Sequence, residues 1–336
     1  MKKSIRSTSL PASRISRVEH WSLIYKSLSY QKIYVLGAGA VGCYFGGMLA
    51  RAGHEVTFIA RPQRVEAINT SGLEMDCKAF HETIQVKASS ELSTLKDADL
   101  VLLSVKSLDT ARTLAQVKSI LPSKAVILSL QNGVANIDIA SNIVANPVYA
   151  AVVYVAAGMI SQSTMKHHGR GELLVGSLAA TSSGDDQCLQ EICKLFEGAS
   201  VPCSIAPQIK RDMWLKFLVN CSFNAISGIG QISYGEMVKS PEIVKLIEEI
   251  TKEFLTIAAL EDLKISLSEA LTANDSIAMT MVTQVSSTAQ DLAKGKMTEI
   301  DFLNGYIVEL GRRYGVPTPY NQSVYALVKM LESRIK

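Results

Sequence analysis

The chain lacks any apolar run of the roughly 18 uncharged residues that a membrane-spanning helix needs. Its nearest approaches, "VILSLQNGVANIDIA" and "VVYVAAGMI", are interrupted or short. Among its six cysteines (Cys43, Cys77, Cys188, Cys193, Cys203, Cys221) there is no Cys-x-x-Cys pair, and no His/Asp/Glu cluster stands at ligand spacing. A metal site is therefore not expected, and the cysteines read as reduced thiols in a cytosol-like compartment. Net charge is scarce as well. The formal +3 sits in the first thirty residues, where Lys2, Lys3, Arg6, Arg14, Arg17 and Lys26 face Glu19 alone; taking away that +5 leaves −2 for residues 31–336. A body so near neutrality offers no basic footprint for nucleic acid.

What is present is core. With 48% hydrophobic and 19% charged residues over 336 positions, the chain can bury enough for two domains. Residues 1–30, Ser-rich, basic and poor in acids, have the composition of an organellar presequence or of a flexible tail, and stand outside the fold. The expected location is the cytoplasm, with the mitochondrion as the alternative if that segment is a presequence.

From Lys32 the pattern is "KIYVLGAGAVG", an apolar strand entering a glycine turn, then the helix-like "CYFGGMLARAG" and a second strand "HEVTFIAR". This is a βαβ unit. Further strands are read at Asp99–Lys106 and Ala125–Leu130, and such continuous apolar strands alternating with helices predict a parallel sheet covered on both faces. Beyond about Pro207 helical patterns dominate, over Ile209–Ile229, Pro241–Glu261, Ala270–Lys294, Thr298–Tyr314 and Gln322–Ile335. The expectation is an α/β fold: a Rossmann-type parallel-sheet domain over 31–206 and an all-helical domain over 207–336, with the active site between them. The long apolar helices of the second half are also candidates for a homodimer interface.

Gly37, Gly39 and Gly42 form G-x-G-x-x-G between strand and helix. The first permits the tight turn, the second lets a pyrophosphate approach the backbone, and the third lets helix and strand pack. Residues Gly37, Ala38, Gly39, Ala40, Val41 and Gly42 are thus candidate cofactor contacts. At the end of the second strand, "VTFIARPQR" has no carboxylate to accept from a ribose 2′-hydroxyl but has Arg61 and Arg64. A guanidinium matches a 2′-phosphate, so NADPH is expected, read by Arg61, with Arg64 taken as a solvated surface charge.

In "MWLKFLVNCSFNAISGI" (213–229) the helix is apolar almost all round, yet Lys216, Asn220 and Asn224 recur at i, i+4 and i+8. They share one stripe. An interior lysine faces a cavity, has a partner or has a lowered pKa, unless it snorkels to solvent. A ketone reduced by hydride needs a proton donor, and a positioned lysine can serve. Downstream, "SSTAQDLAKGKMTEIDFLNG" offers Ser287 and Glu299 for substrate contact; equally, Thr298 can cap a helix whose positive end Glu299 favours, with Asp301 at the third position. Lys106 alone reads as a solvated strand-end charge.

Together, "VLGAGAVGCYFGGMLARAGHEVTFIAR", "VLLSVKSLDT", "SLQNGV", "MWLKFLVNCSFNAISGI" and "SSTAQDLAKGKMTEIDFLNG" resemble the ketopantoate (2-dehydropantoate 2-) reductase family, from about Lys32 to the C-terminal helix. The resemblance implies NADPH-dependent reduction of ketopantoate to pantoate in pantothenate and coenzyme A biosynthesis. It implies Lys216 as general acid, Ser287 and Glu299 at the carboxylate and hydroxyl ends of the substrate, and Asn220 and Asn224 lining the pocket. It also implies Lys106 and Asn132 at the cleft near cofactor and substrate, Glu299 beside the cofactor, and Arg61 on the 2′-phosphate. "SQSTMKHHGRGELLVG" reads as a loop before a strand, with His167 and His168 as surface loop residues. A paralogue acting on another 2-keto acid, and a non-catalytic NADPH sensor, are the competing readings.

Overall fold

The computed structural model describes residues 30–179 and 183–335. The presequence or tail reading of the N-terminal segment falls on residues outside these, except for Tyr30, which is buried in the sheet core.

The first half is β1 (Lys32–Leu36), α1 (Ala40–Arg51), β2 (Glu55–Ile59), α2 (Pro62–Ser71), β3 (Leu73–Asp76), β4 (His81–Ile84), β5 (Lys87–Ser89) and β6 (Leu100–Leu103). It continues through α3 (Thr110–Val117), β7 (Val126–Ser129), α4 (Asn136–Ile143), β8 (Val148–Met159), β9 (Thr164–Gly176), α5 (Ser183–Gly198) and β10 (Cys203–Ile205). All ten strands join one sheet in the order β4-β3-β9-β8-β7-β6-β1-β2-β5, with β10 on β9. The sheet is parallel except for the β3/β4 and β8/β9 pairs. The parallel sheet expected from the sequence is present, and those two pairs run antiparallel because their short connections, four residues in each case, allow only antiparallel neighbours. The segment read as a loop before a strand contains the whole of β9, so His167 lies in a strand, its ring stacked 4.6 Å from that of Tyr44.

Strand alternation builds the layers. Ile33, Val35, Leu100 and Leu102 point into one core, with Phe45 and Phe196; Tyr34, Leu36, Val101 and Leu103 point into another, with Leu114 and Ala140. β8 follows the same rule with a different partner: Ala151 and Val153 join the first core, while Ala150 and Val152 join the core of the helical half.

That half comprises α6 (Ile209–Gly230), α7 (Tyr234–Met237), α8 (Pro241–Leu260), α9 (Leu267–Thr280), α10 (Ser287–Ala293), α11 (Asn304–Tyr314) and α12 (Pro319–Glu332). Trp214 and Phe217 of α6 pack edge-on against Phe254 of α8, at 5.5 and 5.1 Å. Two predicted helices are broken. The 270–294 pattern ends at Thr280 and restarts at Ser287, because Ser286 caps the new helix through Ala289 N while the carbonyls of Val282 and Gln284 accept from Gly235 and Tyr234. The pattern from 298 opens as a 3₁₀ turn, Ile300–Phe302, before α11. Thr298 is not a helix cap there: its amide and hydroxyl donate to the buried Glu332. Among the described residues, no helix is long and apolar enough to cross a membrane.

Candidate active site

The glycine turn separates three steric roles. Gly37 has φ +109°, and a Cβ there would fall 2.6 Å from Val105 N. A Cβ on Gly42 would meet Gly37 O and Ser104 Oγ at 2.4 Å, while one on Gly39 would have nothing within 4 Å. The outer two are filled by protein and the middle one faces open space, which is what a backbone-hugging pyrophosphate requires. The α1 N-terminus behind it has no acidic residue in its first turn, so its N–H groups are free to favour an anion. Gly37 N donates to Ile59 O. This places the turn against the end of β2, two residues before Arg61, which is exposed and whose guanidinium has no partner among the described residues. The residues therefore fit a dinucleotide. Arg64 is not a freely solvated charge: it donates to Gln162 O at 3.0 Å and approaches the Cys43 thiol.

Beside the turn, Lys106 stands three residues past the end of β6. Its ammonium lies 2.5 Å from Asp291 of α10 and 3.9 Å from Glu299. Glu299 accepts from the Ser107 amide (2.8 Å) and hydroxyl (2.7 Å). Ser107 is in turn held by Asn136, whose amide also donates to Asn132 O. Burial pushes the Asp291 carboxyl up, against the pull of Lys106.

Lys216 projects from α6 toward the same chain of groups. Its Nζ donates to Asn132 Oδ1 (3.0 Å) and Val153 O (2.5 Å), and stands 5.8 Å from the Tyr154 ring. The residue keeps some exposure, but its ammonium is enclosed; this burial, assisted by the Arg170 cation and opposed by Glu299, brings the pKa down to about 8. Gln131, Asn132, Gly133, Met213, Lys216 and Asn220 border a cavity of about 10 Å³, space for one water. Gly133, at φ +82°, is pressed to within 3.1 Å (as a Cβ) of Phe302 O, so a side chain there would push the two halves apart.

Lys106, Asn132, Lys216, Asn220 and Glu299 thus converge. Asn224 does not reach the cavity: it is buried a turn further along and accepts from Tyr234 OH. Ser287 is exposed in the first turn of α10, and it is its neighbour Ser286 that bonds Asn224 O. Asp291, Ser107 and Asn136 were not legible as site residues, although Asp291 stands one turn from Ser287 on the same helix. Tyr154 and Arg170 gave no local signal at all.

The family profile described as ketopantoate reductase PanE/ApbA matches residues 33–180, and its C-terminal counterpart matches 208–332. The chain belongs to the ketopantoate reductase family. A 2-dehydropantoate 2-reductase of Pyrococcus horikoshii is 32% identical over 302 residues, covering 90% of this chain and 98% of that one. Among solved structures, a PanE/ApbA family ketopantoate reductase from Ralstonia eutropha JMP134 is 42% identical with a TM-score of 0.84, over 90% of this chain and 99% of that one. D-mandelate dehydrogenase, in a ternary structure with NADH and anilino(oxo)acetate, is 26% identical with a TM-score of 0.85 over the same shares. Ketopantoate reductases are NADPH-dependent oxidoreductases acting on CH–OH groups. Among the described residues no group of three His, Cys, Asp or Glu side chains is placed to hold a metal.

Proposed function

We propose that this ketopantoate reductase family member reduces 2-dehydropantoate to pantoate with NADPH, in a cytosol-like compartment that six free cysteines suit. The product is the pantoate of pantothenate and coenzyme A biosynthesis. One observation carries the reading: an enclosed ammonium of lowered pKa, bonded to Asn132, faces the seam between the glycine turn's domain and the helical half.

When bound, NADPH supplies the hydride that adds to the keto carbon. Gly37, Ala38, Gly39, Ala40, Val41 and Gly42 hold its pyrophosphate, and Arg61 reads its 2′-phosphate. Lys216 donates a proton to the substrate oxygen as negative charge develops there, and its ammonium is worth more in the enclosed site than in water. Asn132 and Asn220 orient that oxygen by hydrogen bonds. Lys106 exchanges Asp291 for the anionic substrate, and Glu299 takes the substrate hydroxyl in place of Ser107.

A second reading rests on D-mandelate dehydrogenase: the same scaffold serving another 2-keto acid. The test is the loss of NADPH absorbance with ketopantoate, with 2-ketoisovalerate and with phenylglyoxylate. Oxidation with ketopantoate alone is the expected result. Preference for phenylglyoxylate selects the second reading, and tight NADPH binding with no turnover on any of them defeats both.

A further inference from the structure

We infer that Glu332, the last residue of α12, is a positioning residue for Glu299, so that the C-terminal helix helps set the substrate end of the cleft. The inference rests on the proposed contact of Glu299 with substrate.

Glu332 is 3% exposed. A carboxylate at that place is opposed twice, by burial and by the negative end of the helix dipole. An apolar side chain would avoid both costs, so the carboxylate has to be explained by what it holds. Its Oε1 accepts from the Thr298 amide at 2.8 Å and from the Thr298 hydroxyl at 2.6 Å. Its Oε2 lies 2.7 Å from Lys329 Nζ. Lys329 reaches on to Asp301 Oδ2 at 3.0 Å, and Asp301 Oδ1 accepts from Tyr325 OH at 2.8 Å.

Residues 298 and 301 flank Glu299. Both are therefore tied to α12. Between them the backbone is only a 3₁₀ turn, with no helical ladder to fix it, and Glu299 itself sits outside that turn at φ −101°. Locally, Phe302 N donates to Glu299 O at 2.9 Å, which fixes the turn but not its entry, and the bond on the entry side, Ile300 N to Thr298 Oγ1, depends on the same threonine that Glu332 grips. The Glu299 carboxylate meets Ser107 at 2.8 and 2.7 Å from this mount. Buried charge-assisted bonds hold position tightly, and displacement of a contact group by about 1 Å can cost on the order of a hundredfold in rate.

The test uses the full chain and four variants, E332A, E332Q, T298A and E299Q, measured for NADPH binding, thermal midpoint, and kcat and KM with ketopantoate. Expected is a roughly ten- to hundredfold loss of kcat/KM for the keto acid in E332A, with the KM for NADPH nearly unchanged. E332Q, which keeps an acceptor for Thr298, should recover part of it. If E332A fails to fold, T298A carries the same expectation at smaller size. A lowered midpoint with unaltered keto-acid kinetics would make Glu332 merely structural and overturn the inference. Wild-type kinetics in E299Q would instead overturn the proposed role of Glu299, on which the inference rests.

Discussion

Lys106 and Lys216 reach one cleft from opposite halves of the molecule, in contrasting company. Lys106 is 43% exposed and faces two carboxylates, Asp291 at 2.5 Å and Glu299 at 3.9 Å. Lys216 has only neutral acceptors at bonding distance, the Asn132 amide and the Val153 carbonyl, and a second cation, Arg170, nearby. The first lysine is charge-balanced and suited to trade one anion for another. The second is enclosed with no carboxylate at bonding distance, and that burial is what makes its proton available near neutral pH.

The largest effect should come from Lys216→Ala. Losing a positioned proton donor costs about 10²–10⁴ in turnover, whereas Lys106→Ala should act mainly on KM for the keto acid, while NADPH affinity survives in both. Equal kcat losses would erase the distinction. A third cation then sharpens it: Arg61→Ala should weaken NADPH by roughly ten- to a hundredfold, the worth of a charged hydrogen bond, and leave NADH nearly unaffected. Parallel weakening of both nucleotides would remove Arg61 as the 2′-phosphate reader.

Protonation separates the lysines next. A general acid must be protonated, so kcat/KM for reduction should fall as pH rises through about 8, by about tenfold per unit. Asn132→Asp would put a carboxylate beside Lys216 and should move that limb upward by about 1–3 units, whatever it does to the maximal rate. A limb that stays in place assigns it to another group. The smallest effect belongs to Asp291→Asn. Removing the partner of a partly exposed lysine should change the keto-acid KM by a few-fold at most, since such pairs are worth about 0–1 kcal/mol. A large loss in kcat would mean that Asp291 has a part in the chemistry.

The same contrast explains what could be read from the sequence. Lys216 stood out because a charge on an apolar helix violates a local period, and the glycine turn because strand, spacing and helix are consecutive. Lys106 was invisible without the family resemblance, since its meaning lies in Asp291, 185 residues away. Glu332 and Arg170 escaped for that reason too. The helix breaks at 281–286 and at Thr298 were hidden because the hydrogen bonds that cause them come from Tyr234, Gly235 and Glu332, not from neighbours in sequence. The antiparallel β8/β9 pair was missed where "HHGRG" mimics a loop: Gly169 and Gly171 have positive φ, and the register against β8 shifts twice beside them.

β8 gives alternate side chains to two cores, so the substrate-facing half borrows a strand from the nucleotide-facing half. Neither half owns its boundary. The helical module is not a cartridge that can be lifted onto another dinucleotide fold: a graft cut at residue 207 would leave Ala150, Val152 and Tyr154 behind, and with them the carbonyl of Val153 on which the Lys216 ammonium rests. Recombination within this scaffold should succeed only with crossovers that carry β8 along with the helices.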